Sequence, residues 1–466
     1  MRLHGFLIGQ TETLLADVLK FTGPADAVTS RFFREHPKLG HGERGVIAEA
    51  VFAVLRRRME FAHLAESGTG SPTRRLALLG LMATAGRAAV RPFVSDAEAN
   101  WLEHVSKVDP ASLPQRVQLN LPEWIVRALE PRFDAAEFAQ LAAAVNYPAP
   151  LDLRANPIKA SRDELLRALA DAGIDAGETP FAPFGVRVAT KPALSKLDAF
   201  KNGWFEVQDE GSQLLCSLVA PRRGEMVVDF CAGAGGKTLA LGAMMRSSGR
   251  LYAFDVSDRR LAKLKPRLAR SGLSNVNPVL IDSEHDSKIK RLVGKIDRVL
   301  VDAPCSGLGT LRRNPDLKWR QTPESVAELA PKQLSILTSA ARLLKRGGRL
   351  VYATCSILEA ENEAVITQFL EAHPEFVLVS ARDVLAEQRI GLDTGEYLKL
   401  WPHRHATDGF FAAVLERRGE AKPKTKSAQA ETTPDESAAV SEATGETTDA
   451  IAQAREVVSV PDSALE

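Results

Sequence analysis

Four cysteines in 466 residues, with no CxxC pair among them, are too few and too scattered for a disulfide framework or a structural zinc site. They read as free thiols in a reducing compartment. Long apolar runs are missing as well. Hydrophobic segments are short and broken by charge, and the opening stretch MRLHGFLIGQTETLL has neither a long apolar core nor a small-residue cleavage site. A membrane span and a secretory leader are therefore not expected, and the chain reads as cytoplasmic. Nor is there an excess of one charge, since 60 Lys+Arg face 59 Asp+Glu. The balance is uneven along the chain: residues 421–466 hold 4 Lys+Arg and 9 Asp+Glu, leaving 56 against 50 in the residues before them. That mild cationic surplus suits a polyanionic partner without demanding one. A hydrophobic fraction of 45% with 26% charged residues reads as globular, and the length allows two or three domains, each with its own core.

Residues 1–140 show apolar positions at helical spacing, as in HGERGVIAEAVFAVLRRRMEFAHLAE and RRLALLGLMATAG, and nothing that alternates like a strand. An all-helical domain is expected there. Residues 148–205 change pattern: LDLRAN and FGVRVAT read as strands, and Ser161 to Glu164 has the form of a capping box that opens the helix SRDELLRALADAG. From 206 to 418 short apolar strands alternate with helix-length segments: MVVDF, LYAFD, NPVLID, RVLVDAP, RLVYAT, FVLVS and GFFAAVLE. That alternation predicts an α/β fold with a doubly wound, Rossmann-like sheet. Residues 419–466, poor in large apolar side chains, are expected to be a disordered acidic tail.

The stretch Cys231-Ala232-Gly233-Ala234-Gly235-Gly236-Lys237-Thr238 follows the first strand of that sheet and matches neither standard phosphate fingerprint. A P-loop needs glycine where Cys231 stands, and GxGxxG fails at Thr238. A glycine turn between strand and helix still lets the backbone approach a ligand and aims helix N–H groups at it. Asp255 ends the second strand, where an acid commonly holds ribose hydroxyls, and Asp282 ends the third, within reach of an adenine amino group. With Asp302 at the exit of the fourth, this series of acids resembles that of class I S-adenosylmethionine-dependent methyltransferases.

Cys231, Cys305 and Cys355 each follow an apolar strand and are expected on one rim, outside the carboxyl ends of neighbouring strands. Cys216, in GSQLLCSLVA, is expected in the core. Methylation of nitrogen or oxygen needs no enzyme nucleophile. Carbon 5 of a pyrimidine does, because a thiolate must first add at carbon 6 to make carbon 5 electron-rich. Asp302 stands three residues before Cys305, where it could bond the N3 edge of the ring as charge develops there. Spacing alone does not say which thiol attacks.

VDFCAGAGGKT, VDAPCSGLGTLRRNPDLKW, YATCSILEAENE and DGFFAAVLE together resemble the motif series of bacterial RsmB-type RNA cytosine-C5 methyltransferases, and WFEVQDEGSQLL resembles the segment that leads into it. The resemblance implies that Cys355 is the nucleophile, that Cys305 promotes product release, and that Asp302 and Lys237 support the chemistry. It implies S-adenosylmethionine as cofactor, contacted by the turn from Cys231 to Lys237 and by Asp255, Asp282 and Asp302. No metal is implied. One departure stands out: the family usually has a proline in CAPGGKT, and its absence is expected to loosen the turn and alter cofactor affinity. GERGVIAEAVFAVLRR resembles the NusB-like RNA-binding domain of the bacterial members, and residues 148–205 resemble their small α/β RNA-binding module.

An RNA substrate needs cationic and planar side chains to hold its backbone and an extruded base. Arg312, Arg313, Lys318, Trp319 and Arg320, close after Cys305, are expected to supply both. The run Arg56-Arg57-Arg58 is either a phosphate contact or a charged helix end. The reading that results is an RNA cytosine-C5 methyltransferase acting on 16S ribosomal RNA. Transfer RNA is the alternative substrate, and a non-catalytic ribosome assembly factor the alternative class, disfavoured by retention of both thiols.

Overall fold

The computed structural model describes residues 3–419; the expected acidic tail lies outside them. From Gly5 to Val145 the described chain is helical, as expected, and its apolar stripes meet in a core built on Leu7, Leu14, Ile47, Val51, Leu55 and Leu78. A four-stranded antiparallel sheet follows, with strands β1 (Leu151–Ala155), β2 (Ala176–Glu178), β3 (Gly185–Val188) and β4 (Phe205–Val207) in the order β2-β3-β1-β4. The helix Arg162–Asp171 covers it and starts at the expected capping box, in which Ser161 and Glu164 satisfy each other's backbone N–H groups. The sequence reading missed β2 and β4, which are too short to show a clear alternation.

The larger sheet contains β5 (Met226–Asp229), β6 (Arg250–Asp255), β7 (Val276–Leu280), β8 (Ile296–Asp302), β9 (Leu344–Thr354), β10 (Phe376–Val379), β11 (Leu398–Leu400) and β12 (Phe410–Arg417). Its order is β10-β12-β9-β8-β5-β6-β7, with β11 paired to β12. Strands β5 to β9 are mutually parallel where they pair, and β12 runs antiparallel to β9. Side chains alternate between two cores. Val227, Leu251, Ala253, Leu300 and Val351 face the helices Glu210–Val219, Gly236–Met244 and Asp258–Ser271, while Val228, Phe254, Val299, Val301 and Leu350 face Pro323–Ala341 and Glu363–Ala372. A sheet buried on both faces explains why its strands read as continuous apolar runs. The chain turns from β5 to β6 and β7 on one side and to β8 and β9 on the other, so the switch point lies beside β5.

Candidate active site

The turns after β8 and β9 bring Cys305 and Cys355 together with their sulfurs 3.3 Å apart, both as free thiols. The hydrogen bond with Cys355, added to burial, holds the Cys305 thiol well above its usual pKa, so Cys305 keeps a proton to share with its neighbour. The spacing of the two turns is fixed from beneath. Each cysteine is followed by a serine, and the fully buried Glu361 accepts the Ser306 backbone N–H at 2.8 Å, the Ser306 hydroxyl at 2.5 Å and the Ser356 hydroxyl. Gln333 donates to the same carboxylate at 3.0 Å. Above it, the N–H of Gly309 donates to the Cys355 carbonyl at 2.8 Å, and the Gly309 carbonyl accepts from Gly409 at 2.7 Å. A Cβ on Gly309 would lie 2.0 Å from the Gly409 oxygen, so only glycine lets these backbones approach.

The glycine turn leaves β5 on the other side of the thiols. Gly233 takes φ +58° and donates its N–H to Asp255 at 2.8 Å; Gly235, at φ +84°, opens the helix Gly236–Met244. Asp255 also accepts Ser257 N–H at 2.7 Å and the Arg260 guanidinium at 2.9 Å. Two carbonyls of the turn are held by arginines: Arg154, on β1, donates to Gly236 O at 2.7 Å, and Arg267 donates to Ala234 O at 2.7 Å. Glu206, on β4, steadies Arg267 at 2.9 Å and Arg270 at 2.6 Å. The small sheet thus braces the turn at the point where the proline was expected to matter. Lys237 reaches back to Asp302 at 2.7 Å. Burial opposes its charge, but the Asp302 carboxylate more than offsets this and raises the Lys237 pKa.

These groups line one cavity of about 790 Å³. It takes in Cys231, Ala232, Gly233, Ala234, Gly236, Lys237, Asp255, Asp282, Asp302, Cys305 and Cys355. Gly235 alone of the expected set is not on its wall; its role is conformational, with a Cβ there falling 2.2 Å from Leu264. Cys231 sits on the wall with its thiol raised by burial and by the nearby carboxylates, which keeps it protonated. Cys216 is buried in the core as expected, its pKa pushed up to about 12 by burial.

The sequence reading missed Glu361, Arg154 and Asp229. Asp229 ends β5, its carboxyl raised to about 7 by burial, with Oδ2 accepting the Thr238 hydroxyl at 2.7 Å and Oδ1 unpartnered. The Cys-Ser repeat was the available signal for Glu361.

The basic loop departs from expectation. Lys318 is buried and donates to Arg56 O at 2.8 Å, Asn120 O at 2.7 Å and Asn146, while Trp319 packs on the helical core and donates to Leu55 O at 2.8 Å. Arg320 pairs with Asp316 at 3.1 Å, and Arg313 bridges Asp408 at 2.6 Å and Asp209 at 2.8 Å. Arg312 donates to the Ala406 and Thr407 carbonyls. Lys318 and Trp319 thus fasten the loop to the helical region, and the three arginines are held by partners at Asp209, Asp316 and residues 406–408. Likewise Arg57 pairs with Glu60, and Arg58 lies over the Trp319 ring at 5.2 Å, so neither is a free phosphate contact.

The family model described as 16S rRNA methyltransferase RsmB/F matches residues 216–416, and the RsmF/B-like ferredoxin-like domain matches 121–195. The "Probable ribosomal RNA small subunit methyltransferase B" of Synechocystis sp. is 34% identical over 437 residues, spanning 87% of this chain and 98% of that protein. The chain belongs to the 16S rRNA methyltransferase RsmB/F family. The ribosomal RNA small subunit methyltransferase B of Yersinia pseudotuberculosis is 35% identical over 294 residues, covering 63% of this chain and 66% of its own. Among solved structures, PH0851 superposes with a TM-score of 0.71 at 25% identity, over 90% of this chain and all of that one. The chain is accordingly a ribosomal RNA methyltransferase with a class I fold, and RsmB/F membership carries the RNA cytosine-C5 chemistry expected from the paired cysteines. Among the described residues no helix is long and apolar enough to cross a membrane.

Proposed function

We propose that Cys355 attacks carbon 6 of a cytidine in 16S ribosomal RNA, that carbon 5 takes the methyl group of S-adenosylmethionine, and that Cys305 assists release. The observation that carries this reading is the thiol pair, 3.3 Å apart on the rim of the cavity that also holds the glycine turn and Asp302.

The cavity suits the cofactor. A Cβ on Gly233 would meet nothing, so the turn leaves open space at its tip, and the unpartnered Oδ1 of Asp229 lies at the base of a wall that carries Asp255 and Asp282. Asp255 would hold the ribose and Asp282 the base edge, with the turn from Cys231 to Lys237 around the remainder. S-adenosylmethionine supplies an electrophilic methyl group when bound.

The protein's own groups do the rest. Lys237 stands near Cys355, and the Cys305 sulfur lies 3.3 Å from the Cys355 sulfur, so both groups adjoin the atom that must attack. Once Cys355 is bonded to carbon 6, its charge is gone. The largest influence raising the Cys305 pKa is removed with it; Cys305 then gives its proton to solvent, its thiolate takes the proton from carbon 5, and the electrons released expel Cys355 from carbon 6 as a thiolate. Lys237 and Asp302, paired at 2.7 Å on the same cavity wall, would support the charge that accumulates on the ring. Ribosomal RNA as substrate and thiols that must stay reduced make the cytoplasm the site of action.

The test is covalent capture. With S-adenosylmethionine and 16S rRNA transcript, Cys305→Ala is expected to accumulate an RNA–protein band on a denaturing gel that Cys305→Ala with Cys355→Ala does not form. A band that survives loss of Cys355 would reject the assignment.

A further inference from the structure

A second cavity, of about 320 Å³, opens where the helical region, the small sheet and the catalytic loop meet. Its cations are Arg56 from the first, Lys191 from the second and Arg312 and Arg313 from the third, against one carboxylate, Glu49. Arg313 lines the catalytic cavity as well, so the two cavities share a wall.

Two of these cations are paired, Lys191 with Glu49 and Arg313 with Asp408 and Asp209, whereas the other two bond only to carbonyls. Arg56 and Arg312 each keep 8% of their surface exposed, and neither forms an ion pair among the described residues. Arg56 donates to the Arg312 carbonyl at 3.2 Å, Arg312 donates to two further carbonyls, and the Nε of each is buried without a partner. Burial lowers the pKa of both, against the opposing pull of Glu49 on Arg56 and of Asp408 and Asp209 on Arg312. Carbonyl acceptors hold these two guanidiniums but leave them without an opposite charge in contact, a state that costs desolvation. An anion entering the cavity would provide that charge.

Resting on the reading that the chain methylates RNA, we propose that this cavity binds a backbone phosphate of the RNA substrate, next to the nucleotide held in the catalytic cavity. Arginine suits a phosphate through its fork of N–H donors, and the ligand already carries one phosphate per nucleotide. Because each part of the chain contributes a cation, the site is complete only when the three are docked. It also gives the helical region a direct part in substrate binding, with Lys191 and Glu49, paired at 2.7 Å on its rim, setting the strength of the field.

The rim pair is exposed, 63% and 46% at their side chains, so it can be altered without disturbing the fold. Equilibrium binding of the full chain to a 16S rRNA transcript, measured across a salt series without methyl donor, tests the site. Lys191→Gln should bind roughly five-fold more weakly with a salt slope lower by about 0.7, and Glu49→Gln should bind more tightly with a steeper slope. S-adenosylmethionine affinity should be unchanged in both. If both variants bind RNA with the wild-type constant and slope, the phosphate site is wrong. Methyl transfer by the wild-type protein to the same transcript is scored separately: its absence would overturn the methyltransferase reading, whereas its presence beside unaltered variants would overturn the phosphate site alone.

Discussion

Cys305 and Cys355 end on the same rim, and what separates them is their neighbours. Cys355 has the Lys237 cation close by, while the contact with Cys355 and burial together raise the Cys305 thiol. Glu361 keeps the pair in register through the two serines. Glu361→Gln exchanges an acceptor for a group that must both donate and accept, so the turns should separate. Turnover is expected to fall roughly a hundred-fold, as for a displacement of about 1 Å at reacting groups. Covalent capture of RNA in a Cys305→Ala background should fall in this variant while S-adenosylmethionine affinity holds, a split that loss of stability alone would not produce. Asp229 gives a separate test. Its folded pKa, about 7, lies above the unfolded value near 4, so the native state holds an extra proton between those limits and stability falls as pH rises through them. Asp229→Asn should remove that fall, gaining on the order of 4 kcal/mol over wild type by pH 8 relative to pH 4, read by urea unfolding at each pH.

The central strands were legible because they are buried on both faces, and β5, β6, β8 and β9 read as apolar runs ending at an acid or just before a cysteine. Order followed from the alternation with helices, and the three cysteine-bearing turns do leave adjacent strands, β9, β8 and β5. The short strands β2, β4 and β11 were not legible, since three residues carry no period. The glycine turn was read as loosened by its missing proline; two of its carbonyls are held by Arg154 and Arg267, which reach it from positions 82 and 33 residues away in sequence. No local pattern reports such a contact. The crossing of Gly309 and Gly409 is equally non-local. Gly309→Ala should push the Cys355 strand end aside, destabilise the protein by about 1–3 kcal/mol, and lower turnover more than it lowers cofactor affinity; calorimetric titration beside steady-state kinetics would separate the two. Equal losses in both would show that the crossing serves only packing.

The basic loop shows most clearly where sequence reading reached its limit. Five cationic or aromatic residues after a catalytic cysteine looked like a surface for RNA, yet Lys318 and Trp319 are spent on the helical region and Arg313 on two aspartates. Charge type was visible in the sequence, and the partners that neutralise it were not. The consequence is a molecule in which the N-terminal helices hold the catalytic loop in place and the small sheet holds the cofactor turn, so both appended parts act on the active site itself. All of this serves one reaction, and it is tested most directly by incubating the full chain with S-adenosylmethionine and 16S ribosomal RNA lacking the modification, then mapping protected cytosines by bisulfite sequencing. One newly protected cytosine, absent when Cys355→Ala replaces the wild-type protein, is the expected result. Undiminished protection with Cys355→Ala, or none with the wild-type protein on either free RNA or assembling subunits, would contradict it.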